Sequence, residues 1–154
     1  MNIALGADHR GSDAIARLAE RLRNQGHTVS MHGSVDGGAC DYPIAAYEVG
    51  REVAEGRADR GVLVCGTGIG MSIAANKVPG VRAAVVNNEL TAQLARTHND
   101  ANIVCVSADL LGLKLIEDIV NVFLASEHEG GRHARRVQRI TAIERGESPH
   151  SDPC

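Results

Sequence analysis

The stretch Gly61–Lys77, GVLVCGTGIGMSIAANK, decides how the whole chain is read. Its first half, GVLVCG, is apolar throughout and rich in β-branched residues, as a strand covered on both faces requires. Three alternating glycines follow, Gly66, Gly68 and Gly70, and a short helix begins near Gly70. A buried strand turning through glycines into a helix is one step of a β–α–β pattern. If the fold is built that way, the same step should recur on either side.

It does. NIALGA (2–7) reads as a first strand ending at Asp8, followed by a helix with Ile15, Leu18, Ala19 and Leu22 at helical spacing and Gly26 at its close. HTVSM (27–31) is a weaker second strand. A glycine-rich loop leads to Pro43, well placed in the first turn of a second helix running to about Glu55. VRAAVV (81–86) is the fourth strand, and NNELTAQLARTHN (87–99) the fourth helix, with Asn88 as N-cap. NIVCVS (102–107) is the fifth strand. A long helix is expected from about Ala108 to Ser126; its apolar residues cover more than one face and call for a cover beyond the sheet, such as a second subunit. A last helix spans RHARRVQRITAIERG (132–146), leaving 147–154 as a tail. The pattern predicts one domain, residues 1–146, with an α/β, doubly wound, three-layer fold. Its five-stranded parallel sheet takes the order 2-1-3-4-5, with a C-terminal helix added. In that order the chain reverses direction between strands 1 and 3, and GADHRG (6–11) meets CGTGIGMS (65–72) at their carboxyl ends.

Composition sets outer bounds. The chain has 154 residues, 44% hydrophobic and 23% charged, the balance of a soluble domain with a real core. No apolar run approaches the roughly 20 residues of a membrane helix. The opening MNIALGADHRG turns polar too soon for a signal peptide, so a cytoplasmic location is expected. A net charge of −3 and an aromatic content of 2% argue against nucleic acid as a partner. The cysteines at 40, 65, 105 and 154 form no C-x-x-C pair and no metal-ligand spacing, so neither a disulfide framework nor a metal is expected.

The residues capable of chemistry gather near the glycines. GTGIG supplies backbone N–H groups at a strand-to-helix turn, where an anion is stabilised. It lacks the dinucleotide fingerprint and the lysine of a Walker loop, and a plain glycine turn remains an equal reading. Cys65 reads either as a core cysteine or as a thiol made acidic by that turn; Cys105, inside IVCVS, reads as core. Asp8 and His9 end the first strand at the same crevice. His98 and Asn99 close the fourth helix, as a C-cap or as an acid/base group. Arg132 and Arg136, four apart on one helix face, suit a phosphate ester or form a solvated basic face.

GADHRG, DYP, CGTGIGMSIAANKVPGVRAA, HNDAN and GGRHARRVQRITAIE together resemble the B-type ribose-5-phosphate isomerases and their galactose-6-phosphate relatives, in the same order from Asn2 to about Glu144. The resemblance implies aldose–ketose isomerisation of a sugar phosphate through an enediolate, with no cofactor and no metal. It implies that Cys65 moves the proton, that Gly66, Gly68, Ile69 and Gly70 lie along an oxyanion hole, and that Thr67 stands close to substrate. His98 would open the sugar ring and Asn99 hold the sugar. Asp8, His9 and Tyr42 would contact substrate, and Arg132 and Arg136 its phosphate. It further implies a homodimer or homotetramer in which the histidine arrives from a partner subunit.

One position departs from the resemblance. After the fifth strand the family usually carries arginine; here SADLLG places Asp109. A carboxylate repels a phosphate dianion. Three expectations remain open: Asp109 points away, Arg10 supplies the charge, or the substrate is another sugar (a hexose or tetrose phosphate, or one without phosphate). A non-catalytic phosphate- or nucleotide-binding module is the alternative outside enzymes.

Overall fold

A computed structural model of the chain describes residues 1–150. The elements are β1 (Asn2–Ala7), α1 (Ser12–Asn24), β2 (Thr28–Gly33), α2 (Tyr42–Ala54), β3 (Arg60–Cys65), α3 (Ile69–Ala75), β4 (Ala83–Val85), α4 (Glu89–Thr97), β5 (Ile103–Ser107), α5 (Leu113–Ala125) and α6 (Gly131–Glu144). The expected tail 147–154 falls partly outside the described residues, and Cys154 wholly so.

All strand pairings are parallel, and the sheet order is β2-β1-β3-β5-β4. The α/β three-layer class is as expected, but the last two strands exchange places relative to the expected order. The reason lies in their burial. Every residue of β5 is buried, which demands a neighbour on each side, whereas β4 has only three residues and none is buried. A short, partly wetted strand belongs at an edge.

The helices follow the direction of each step across the sheet. β1→β2 and β4→β5 step one way, and α1 and α4 pack on one face with α5. β2→β3 and β3→β4 step the other way, and α2 and α3 pack on the opposite face. A reversal of step with a change of face is what a single crossover hand produces. Strand side chains alternate between the layers: Val62 and Val64 of β3 join the first core, Leu63 and Cys65 the second.

One helix expectation needs correction. α5 begins at Leu113 rather than near Ala108. Residues 108–110 are held as a loop instead, because Ala108 N–H donates to Cys65 O (2.8 Å), Asp109 N–H to Gly66 O (3.1 Å) and Leu110 N–H to Ser107 Oγ (2.9 Å). Of its surplus apolar residues, Leu115, Val122 and Leu124 are partly buried against the first core, while Leu113 stays exposed. α6 is covered less still. Only His133 of its residues is buried, while Ile140 and Ile143 are exposed.

Candidate active site

The carboxyl ends of β1, β3 and β5 lie side by side, with Ala7 opposite Val64 and Cys65 opposite Ser107. The loops after β3 and β5 are bonded to each other at this end of the sheet, with Ala108 N–H donating to Cys65 O and Asp109 N–H to Gly66 O. Cys65 is buried on the α2/α3 face, and its Sγ accepts a hydrogen bond from Gly68 N–H at 3.1 Å. Gly68 makes this possible: its φ of 77° is left-handed, and a Cβ there would meet the backbone of Val106 at 3.2 Å. The Thr67 hydroxyl is exposed and accepts from Ile69 N–H at 3.3 Å.

Asp8 and Tyr42 frame this loop. Asp8 is buried, and its Oδ1 accepts from Arg10 N–H (2.9 Å) and Gly11 N–H (3.2 Å). The carboxylate thus shapes the turn that leaves His9 exposed. The Tyr42 ring lies against Gly70, where any Cβ would come within 2.7 Å of it.

His98, Asn99, Arg132 and Arg136 belong to a second cluster. α4 runs back against the strands, so its C-cap His98 and the following Asn99 stand at the amino edge of the sheet. Three residues on, Asn102 O accepts from Gly61 N–H, at the far end of β3 from Cys65. Four residue steps along the strand separate those ends by about 13 Å. α6 starts beside this edge, with Glu129 N–H donating to Thr97 O at 3.0 Å. The His98 and His133 rings stack at 4.1 Å between centroids, 8° from parallel. Arg132 Nε–H donates to His133 Nε2 at 3.3 Å, which requires an unprotonated nitrogen there. Burial first, then the charges of His98 and Arg132, push the His133 pKa below its ordinary value. Among the described residues, no hydrogen bond, ion pair or ring contact joins this cluster to Cys65.

Several residues escaped sequence reasoning. Arg96 is buried in α4, donating to Asp100 Oδ1 (2.8 Å) and Ala101 O (2.6 Å), with its guanidinium over Phe123. Arg82 Nη2 donates to Asp100 Oδ2 at 2.8 Å. Burial opposes ionisation of Asp100, but the Arg96 hydrogen bond and both arginine charges bring its carboxyl below the usual range. This carboxylate holds a left-handed residue, φ 48°, and so fixes the turn carrying His98 and Asn99. Arg–Asp at i, i+4 was a visible signal for the pair. Glu129 and His133 share that i, i+4 spacing and lie 3.7 Å apart, but the stacking of His133 on His98 joins separate elements and left no signal.

His98, Glu129 and His133 also bring potential metal-ligand atoms within 4.8 Å of one another, a trio that sequence spacing did not reveal. Lone pairs on imidazole lie in the ring plane, so two stacked, near-parallel rings do not aim them at one point. The trio fits a stacked pair better than a metal centre.

Comparison with known proteins settles the family. A family model described as Ribose/Galactose Isomerase matches residues 3–140. The chain belongs to this family. Among members of the ribose/galactose isomerase family, ribose-5-phosphate isomerase B of Escherichia coli is 44% identical over 142 residues, 92% of this chain and 95% of the relative. D-Erythrulose-4-phosphate isomerase of Pectobacterium atrosepticum is 37% identical over 148 residues, 96% of this chain and 97% of the relative. The solved structure of Clostridium thermocellum ribose-5-phosphate isomerase B superposes with a TM-score of 0.93 at 44% identity, covering 95% of this chain and 99% of that one. Membership makes the chain a sugar-phosphate isomerase by family, and the relatives' names span more than one sugar.

Proposed function

We propose that the chain interconverts ribose 5-phosphate and ribulose 5-phosphate, without a cofactor, at a site shared between two copies. In this reading His98 moves the proton that opens the sugar ring. The Cys65 thiolate takes the proton from the carbon beside the aldehyde, leaving an enediolate, and the thiol returns it to the former aldehyde carbon. N–H groups of the Gly66–Gly70 loop hold the enediolate oxygens. His9, Thr67, Tyr42 and Asn99 line the sugar, and Arg132 and Arg136 take the phosphate.

The observation that carries this reading is the Gly68 N–H bond to Cys65 Sγ, which holds the sulfur against the glycine loop. Sharing between two copies is supported by the placement of His98 and Cys65 at opposite edges of one sheet. The exposed apolar residues Ile140 and Ile143 of α6 support it further. One feature favours a second substrate: the Asp109 carboxylate beside Gly66 suits a sugar without phosphate at that end.

Incubation with ribose 5-phosphate in heavy water tests the proposal. Ribulose 5-phosphate should form, with deuterium at the exchanging carbon. Absence of ketose would remove ribose 5-phosphate as substrate, and tight binding without deuterium uptake would replace the isomerase by a binding module.

A further inference from the structure

The loop after β1 and the loop after β5 are tied across the end of β3 by one ion pair. Arg10 Nε–H donates to both carboxylate oxygens of Asp109 at 2.8 Å, and Arg10 Nη2 lies 2.8 Å from Asp109 Oδ1. Both partners are fixed from behind. Arg10 N–H is bound to Asp8 Oδ1, and Asp109 N–H to Gly66 O. The pair stands directly over the glycine loop, where a Cβ on Gly66 would lie 2.9 Å from Asp109 Oδ2 and 3.2 Å from Arg10 Cδ. Gly66 follows Cys65, so this pair forms one wall of the crevice above it.

Charge decides what such a wall accepts. Arg10 alone would be an anion-binding residue, and Asp109 alone would repel anions. Paired, they present hydrogen-bonding edges with no net charge. We propose that the Arg10–Asp109 pair is a specificity-determining element that keeps this wall neutral, so that it receives a hydroxyl-bearing group of the sugar and turns phosphate away. This rests on the isomerase reading only in placing a sugar in the crevice; the pair's effect on anion binding can be measured without turnover.

The test is calorimetric titration of the full chain with ribose 5-phosphate and with ribose. The proteins are the wild type, Asp109→Asn, Arg10→Ala and the double variant. Freeing Arg10 by Asp109→Asn should tighten ribose 5-phosphate about tenfold, and unmasking Asp109 by Arg10→Ala should weaken it about tenfold. The double variant should lie near the wild type, and ribose binding should move little in any of them. Both single variants shifting phosphate binding in the same direction, or only lowering the melting temperature, would reduce the pair to a tie between loops. Failure of all four proteins to bind ribose 5-phosphate would overturn the proposal too. If the opposite shifts appear while no protein turns over any sugar, the isomerase reading falls and the neutral wall stands.

Discussion

The imidazole of His133 lies flat against that of His98, with ring centroids 4.1 Å apart. His133 is buried and accepts from Arg132, so it presents a neutral face to its neighbour.

Stability should therefore respond to pH near neutrality. The folded chain holds the His133 pKa below its ordinary value of 6.5, so the unfolded chain binds this proton more readily. Its contribution is fully present above 6.5 and declines as pH falls below it. Thermal melts from pH 7.5 to pH 5.5 should show the midpoint falling, and His133→Gln should flatten that slope. An unchanged slope in the variant would separate His133 from the effect.

Complementation tests the shared site. Cys65→Ala and His98→Ala should each be inactive alone. After denaturation and co-refolding in equal amounts, about a quarter of wild-type activity should return, because half the dimers are mixed and each mixed dimer has one intact site. No recovery would place both groups in one chain's site.

The turn that carries His98 and Asn99 depends on an ionised Asp100. At pH 7 Asp100→Asn should lower stability by about 1–2 kcal/mol, since two charge-assisted hydrogen bonds weaken. The wild-type carboxyl has a depressed pKa, so its contribution holds above the ordinary value of 3.8 and is lost as pH falls through the folded value. Melts at pH 7 and at pH 2.5 should show the gap between variant and wild type closing in acid.

Gly68→Ala should damage both fold and chemistry. A side chain at φ 77° costs about 1–2 kcal/mol, and its Cβ would press on Val106 backbone. Displacing Gly68 N–H removes the bond to Cys65 Sγ, so turnover should fall further than stability explains. Chemical denaturation and kinetics on one preparation compare the two losses.

The layered fold was legible because buried strands and amphipathic helices announce themselves by composition and period. Cys65 and the glycines could be placed from GVLVCGTGIG alone, since strand and turn lie in one continuous stretch. Strand order was not legible beyond β3. It depends on how many neighbours β4 and β5 each need, and VRAAVV looks as apolar as NIVCVS until its exposure is known. Arg10 and Asp109 were each visible, but their pairing joins residues 99 positions apart. Part of the support beneath His98 was hidden likewise, because Arg82 and His133 reach it from outside α4.

The edge position of β4 has a consequence for how the molecule breathes. A three-residue strand with a partner on one side only is the first to exchange its amide hydrogens, whereas β3 and β5 are clamped from both sides. α4 hangs between that loose strand and a firm one, and His98 sits at its end. In the proposed chemistry the two groups thus ride on unequal mounts: the sulfur on a strand paired on both sides, the imidazole at the end of the helix that follows the edge strand.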